Sequence, residues 1–536
     1  MTTTMGLLSA ITTGWWGHFG EQYGRTRVLA AATLGLFLTD LTFILVSTPH
    51  SPFAAHGHKL LIISPIVEGA LGGWSTLQGA TMAYVSDCTS DGSRAQIFSR
   101  FSGVFYFGFS IGPMIGAYLI RHPIFSFPGS SPSSVPVLHN GQPTVTSVFY
   151  VAAMCSFINL LLVVFLFPES ISKKKTQSGK PVVPAPAPGP EQGVAEGSDL
   201  EVAIAVKQGW STQRLLDPLA LLAPKKIPRP EGGHRTDWSL TVLGLSLFMF
   251  LLASGIFQIK YLYAEHVYEW GAEQLSYYIT LMGAVRCIYL LLIMPHLIQW
   301  FKPKPKPRSK LGPSTSTSAH ATSTSKPSTV PPAGKKPKPT LGQIAKEMDF
   351  DLLLLRSSFF VEFLSHTLVS LIPPTAGAGP FIAFTSLSCF GTGVHPAVNS
   401  LALCILRTQA EASSAAGGPP QDDSNAGALF GALAAIQATG QMILGPLIFG
   451  VVYSATVAVF PKAIFATAAA ITVVALALLC LLRPDVALRA RQRQRMNRHD
   501  ETERGRSRVR KDLGLSTSSP ILGRNVSPAS SSGNAN

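Results

Sequence analysis

Glu362 and His366 stand four residues apart in the run FFVEFLSHTLVS, so on a helix they share one face. A carboxylate beside an imidazole can pass a proton near neutral pH, and the same pair serves equally well as fixed polar packing. Arg286, in LMGAVRCIYLLL, is a guanidinium among apolar neighbours, suited to an anionic group or to a carboxylate that ties two helices together. Glu68 in SPIVEGALGG and Asp40 in LFLTDLTF are further acids in apolar surroundings, with Glu68 a candidate proton or cation site. His395 and Asn399, again four apart, can line a cavity or hydrogen-bond between helices. Arg356 lies nearer the end of its apolar run, from where it can snorkel to the surface. Patterns of soluble enzymes carry no argument: HExxH and the phosphate-binding GxxxxGK[ST] are both absent, so ATP-driven pumping has no visible engine in these residues.

The elements that must position these side chains are apolar runs of membrane length. Of the 536 residues, 46% are hydrophobic and only 13% charged. Runs that can span a bilayer fall at about 28–47, 60–84, 101–120, 147–167, 238–260, 276–297, 350–372, 380–405, 427–453 and 458–482, preceded by a shorter piece, Met5 to Trp16. Lipid offers backbone groups no hydrogen-bond partners, so each run is expected to be a helix and the fold class all-α. The formal charge of +15 raises the question of nucleic acid. With the segment Gly17 to Arg27 placed in the cytosol and the spans alternated from there, nearly all of the 43 Lys and Arg become cytosolic. The exceptions are Lys59, Arg121, Lys260 and Lys462 outside, and Arg286 and Arg356 within spans. That asymmetry is the positive-inside pattern, so the basic balance reports membrane orientation and no nucleic-acid partner is expected. The 6 cysteines include no CxxC pair, and neither a disulfide framework nor a metal site is implied.

Polar stretches divide the chain. Residues 1–168 form an N-terminal membrane bundle, 169–236 a cytosolic linker containing KKKTQSGKPVVPAPAPGPEQG, and 237–482 a C-terminal bundle interrupted by a Ser/Thr/Pro-rich loop at 301–345. Linker and loop have the composition of disordered segments. A basic tail, 483–536, follows, with RARQRQRMNR near the membrane, suited to anionic lipid headgroups. The two bundles echo each other. GFSIGPMIGAYL, with Gly112, Pro113 and Gly116, is answered by GQMILGPLIFGVVY, with Gly445 and Pro446, and EGALGGWSTLQGA by GTGVHPAVNSLAL. Small residues let helices approach closely and an interior proline bends them, so the expectation is two pseudo-symmetric bundles.

The segment GHFGEQYGRTR resembles the cytosolic motif of the major facilitator superfamily, with Gly17, Glu21, Gly24 and Arg25 matching and Gln22 standing where an arginine is usual. The Gly-Pro helix is similar to the family's fifth-helix motif. VEGALGGWSTLQGATMAYVSDCTS resembles the fourth helix of the tetracycline-resistance-like and proton-coupled folate transporter groups and their fungal relatives. The resemblance implies a secondary active transporter moving a small organic solute by alternating access, with coupling to protons. A monomer without cofactor or metal, in the plasma or vacuolar membrane, is expected. A non-transporting sensor or scaffold is the alternative. It implies that Gly17, Glu21, Gly24 and Arg25 latch the two bundles at the cytosolic side, weakened by Gln22. Where antiporters of the family carry arginine and glutamine in the fourth helix, Pro65 and Glu68 stand here, a departure from standard drug/proton antiport. Family members have twelve helices; this chain offers about eleven, so the first helix and part of the second are expected to be missing, through gene prediction or natural truncation.

Overall fold

The computed structural model describes residues 2–47, 56–89, 94–122, 146–170, 219–228, 234–301, 341–373, 376–415 and 426–482. Most of the linker, nearly all of the Ser/Thr/Pro loop and the whole basic tail lie outside the described residues. The first half contains α1 (Thr2–Tyr23), α2 (Arg25–Ser47), α3 (Gly57–Ala70), α4 (Gly73–Asp87), α5 (Arg94–Arg121) and α6 (Thr146–Phe165). A small antiparallel hairpin, β1 (Lys225–Pro228) and β2 (His234–Asp237), comes next. The second half begins with α7 (Ser239–Ser254), α8 (Phe257–Tyr268), α9 (Ala272–Ile288), a π-helical turn at Tyr289–Ile293, and α10 (Met294–Phe301). It continues with α11 (Leu341–Ser370), α12 (Ala378–Leu387), a 3-10 turn at Ser388–Gly393, and α13 (Val394–Ala415). It closes with α14 (Ala426–Gln437), a π-helical segment at Ala438–Leu444, α15 (Gly445–Thr456) and α16 (Ala463–Leu481).

Among the described residues, ten helical runs are long and apolar enough to cross a membrane, among them the composite runs 57–87, 239–268, 273–301, 378–411 and 426–456. The chain is an integral, multi-pass membrane protein with an all-α membrane fold. Two expectations need correction at the start of the chain. The piece Met5 to Trp16 is part of a full 22-residue helix, α1, about 33 Å long at 1.5 Å per residue. And GHFGEQYGRTR is no open loop, because helix runs through Tyr23 and breaks only at Gly24, whose φ of 114° is costly for any other residue. The helix persists because its glycines make contacts. A Cβ on Gly17 would lie 3.4 Å from the Gly427 carbonyl and 3.6 Å from Gly431 Cα.

The halves are joined by α1 against α14 and by α5 against α9, while α2 packs with α6 and α16 with both α7 and α11. The core of the second half is aromatic: Tyr263 lies 5.2 Å from Phe465 and 5.6 Å from Phe381, ring centre to ring centre, with Phe449 also fully buried. The hairpin falls inside the stretch expected to be a disordered linker. It is anchored through Asp237, whose Oδ1 accepts from the Ser239 amide at 3.0 Å and the Ser239 hydroxyl at 2.6 Å at the start of α7. Its Oδ2 accepts from Gln409 Nε2 of α13 at 3.2 Å.

Candidate functional site

The ionisable residues singled out above separate into distinct places. Glu362 and His366 meet as their spacing predicts, with Nε2 and Oε1 3.4 Å apart, although the approach is not aligned as a hydrogen bond. The pair is packed against the 3-10 turn, where a Cβ on Gly391 would come within 2.7 Å of Glu362 Oε2. Arg286 belongs to the same neighbourhood. Its guanidinium lies over the ring of Tyr106 of α5, 5.2 Å from the centre, so the first half covers it from across the junction. Cys389 of the 3-10 turn and Glu362 are both within electrostatic reach of Arg286. Cys389 itself is held to α9, its thiol donating to the Met282 carbonyl at 3.6 Å.

Lys260 is the residue that sequence reasoning placed wrongly. The expected run ends at Lys260, with its ammonium at the outer surface. The helix continues to Tyr268, and Lys260 is only 6% exposed. Its ammonium lies 5.5 to 5.7 Å from the ring centres of Phe257, Tyr261 and Tyr278, a distance at which ring faces attract a cation. The signal was there in GIFQIKYLYAEHVYEW, where Phe257, Ile259, Tyr261, Leu262 and Tyr263 carry the apolar pattern past the lysine. Neither Lys260 nor Arg286 is ion-paired to a carboxylate among the described residues. Arg286 Nε, Tyr261 Oη and Ser358 Oγ are buried with no hydrogen-bond partner. Such atoms each cost about 1–3 kcal/mol unless a ligand completes them.

His395 and Asn399 line a separate cavity between the halves, together with Gln78, Met82, Phe430 and Gln437. Arg286 acts electrostatically on His395, so this lobe adjoins the cationic centre. Asp40 and Glu68 do not reach the centre. Glu68 Oε2 accepts from Thr39 Oγ1 at 2.8 Å, Thr39 in turn accepts from Ser64 Oγ at 3.1 Å, and Asp40 accepts from Ser156 Oγ. Hydroxyls of α2, α3 and α6 thus satisfy both acids inside the first half. Arg356 reaches the end of a neighbouring helix. Its Nη2 donates to the carbonyls of Leu482 at 3.1 Å and Leu479 at 3.4 Å, closing the last turn of α16. The letters Gly108-Phe109-Ser110-Ile111-Gly112 read as the GxSxG of esterases. They lie within α5, and Ser110 Oγ donates to the Thr280 carbonyl at 3.0 Å, joining α5 to α9.

At the end of α1 the matched motif spans the junction. Glu21 Oε1 accepts from the Ala428 amide at 2.8 Å, in the first turn of α14, so a carboxylate of one half meets the positive end of a helix of the other. Arg25 is 4% exposed, with Nε 3.3 Å from Asp87 Oδ2 and Nη2 4.0 Å from Glu21 Oε1. Gln22 is exposed and paired with His18 at 3.0 Å, so the missing arginine is outside this network. Glu169, which the sequence reading passed over, accepts from the Arg25 amide at 2.9 Å and the Thr26 amide at 3.2 Å, capping α2.

The Major Facilitator Superfamily profile matches residues 1–317, more than half of the chain. The chain belongs to this superfamily. Relatives include an uncharacterized membrane protein of Schizosaccharomyces pombe, 21% identical over 304 residues, covering 54% of this chain and 40% of the relative. The MFS-type transporter avaJ of Aspergillus versicolor is 22% identical over 294 residues, covering 55% and 48%. The chain thus spans half or less of the length of these curated relatives. Among solved structures, the crystal structure of the human organic anion transporter MFSD10 (TETRAN) shares the fold at a TM-score of 0.50 and 18% identity, covering 89% of this chain and 82% of that one.

Proposed function

We propose that this superfamily member is a secondary active carrier for a small organic anion, with protons entering the cycle through Glu362 and His366. The observation that carries the reading is the buried pair of cations, Lys260 and Arg286, ringed by Phe257, Tyr261, Tyr278 and Tyr106 and facing no carboxylate ion pair. Charges held at membrane depth without a partner are expensive and mark the path of a charged solute. Their aromatic surroundings suit an anion with an apolar or flat body. Glu362 beside His366 supplies a group able to take up and release a proton within electrostatic reach of both cations. The His395 and Asn399 lobe would receive the uncharged end of the substrate, and Glu21 of α1, bound to the start of α14, would hold the cytosolic ends together while the site faces outward. Glu68 and Asp40 serve as internal packing of the first half.

The test is uptake into sealed vesicles containing the full chain, with an imposed proton gradient and a panel of aromatic carboxylates and sulfonates. Accumulation of an anion, abolished by Arg286→Ala and by Lys260→Ala, is expected. Glu362→Gln should keep anion exchange and lose gradient-driven accumulation. Transport of neutral or cationic solutes that is indifferent to Arg286→Ala would overturn the reading. Anion binding without any movement would assign the chain to the sensor class.

A further inference from the structure

We infer that the loaded site is matched to a doubly charged organic anion that binds together with one proton. This rests on the anion reading above and deepens it, since it follows from counting charges. Lys260 and Arg286 bring two positive charges, and Glu362 is the one carboxylate within electrostatic reach of both among the described residues. The phenols of Tyr106 and Tyr261 and the thiol of Cys389, the other groups in reach, are uncharged in their ordinary state.

The elements packed on α11 add nothing to the count. α12 has no ionisable side chain, and α16 has only Cys480, which is exposed. α13 brings His395, within electrostatic reach of Arg286, and further along Cys404, Arg407 and Glu411, which are not among the groups acting on Lys260 or Arg286, and the 3-10 turn brings Cys389. The balance therefore turns on the pair in contact, His366 and Glu362, whose side chains are 8% and 15% exposed. With no proton, the pair is an anion and neutralises one of the two cations. With one proton, the pair is neutral overall, and both cations are left for the substrate. A buried site favours the occupant that cancels its charge. The deprotonated site suits a single negative charge and the protonated site two, so proton and dianion bind cooperatively.

Affinity for a dianion is highest while the pair holds its proton and falls as rising pH removes it, whereas affinity for a monoanion changes in the opposite sense or not at all. The probes are a naphthalene disulfonate and the monosulfonate of the same ring, both fully ionised throughout. Their binding to the purified full chain would be measured by calorimetry between about pH 5.5 and about pH 7.5, a window around the ordinary pKa of a free imidazole. The disulfonate is expected to bind at least about tenfold tighter at the acidic end, with that preference shrinking several-fold toward the basic end. Glu362→Gln should keep the preference at both ends, and Lys260→Gln should abolish it where Lys260→Arg retains it. Should Lys260→Gln fail to fold, Glu362→Gln alone decides. Equal affinities at acidic pH, or a preference that ignores pH in the wild type, overturn the inference and leave anion transport standing. If neither sulfonate binds while a neutral or cationic aromatic does, the anion reading itself falls, and this one with it.

Discussion

Gly112-Pro113 and Gly445-Pro446 are the same two letters in corresponding helices of the two halves, yet the structure uses them differently. A Cβ on Gly445 would sit 2.6 Å from Gly255 Cα, at the joint between α7 and α8, and the chain before it is wound into a π-helical segment at Ala438–Leu444. A Cβ on Gly112, or on Gly108, would have nothing within 4 Å, and α5 runs continuously through Pro113. Gly445 is therefore closed in by the end of α7, whereas Gly108 and Gly112 face no described neighbour, and α5 meets α6 only one turn later, where a Cβ on Gly116 would lie 3.8 Å from Val148 Cγ1. The chemistry divides along the same line. Lys260, Arg286, Glu362 and His366 all belong to the second half, and the first half contributes the ring of Tyr106. Its own acids, Asp40 and Glu68, are held by neighbouring hydroxyls. Sequence symmetry between bundles therefore does not imply shared work.

The sharpest way to break this comparison is a bulky residue at both glycines. Gly445→Leu must push α15 off α7, and overpacking of this kind costs at least about 1–3 kcal/mol and more where backbone is the obstacle; loss of monodisperse protein on size-exclusion chromatography is expected. Gly112→Leu should leave the melting temperature unchanged, and damage equal to that of Gly445→Leu would show that a helix packs on this face of α5 as well. Smaller effects test the junction between the halves. Glu21→Gln removes a charge from the start of α14, worth about 1 kcal/mol, and should raise cysteine-accessibility at Gly17 variants on the cytosolic side several-fold. Gln22→Ala, outside the network, should change stability by less than about 0.5 kcal/mol.

Much of the architecture was legible beforehand. The ten spans were placed within a few residues of most of their ends, because a bilayer admits only long apolar runs with internally satisfied backbones. The pairing of Glu362 with His366 could be read from a spacing of four, since helical periodicity dictates which side chains share a face. Lys260 was missed because a charge looks like the end of a span, whereas aromatic faces carry it inside. Glu169 and Asp87 were missed for another reason. Their partners, the Arg25 and Thr26 amides and the Arg25 side chain, are distant in sequence, and nothing local announces them.

What the sequence determined by itself was the kind of object, helices in a membrane on a doubled plan, since hydropathy and helical spacing act within a single segment. What tertiary structure decided was which charges meet. Glu68 and Arg286 look alike as isolated ionisable groups in apolar runs, and only packing gives one a hydroxyl partner and sets the other over an aromatic ring with its Nε unbonded. Electrostatic cost depends on what lies within a few ångströms across helices, and that is settled when the bundle closes.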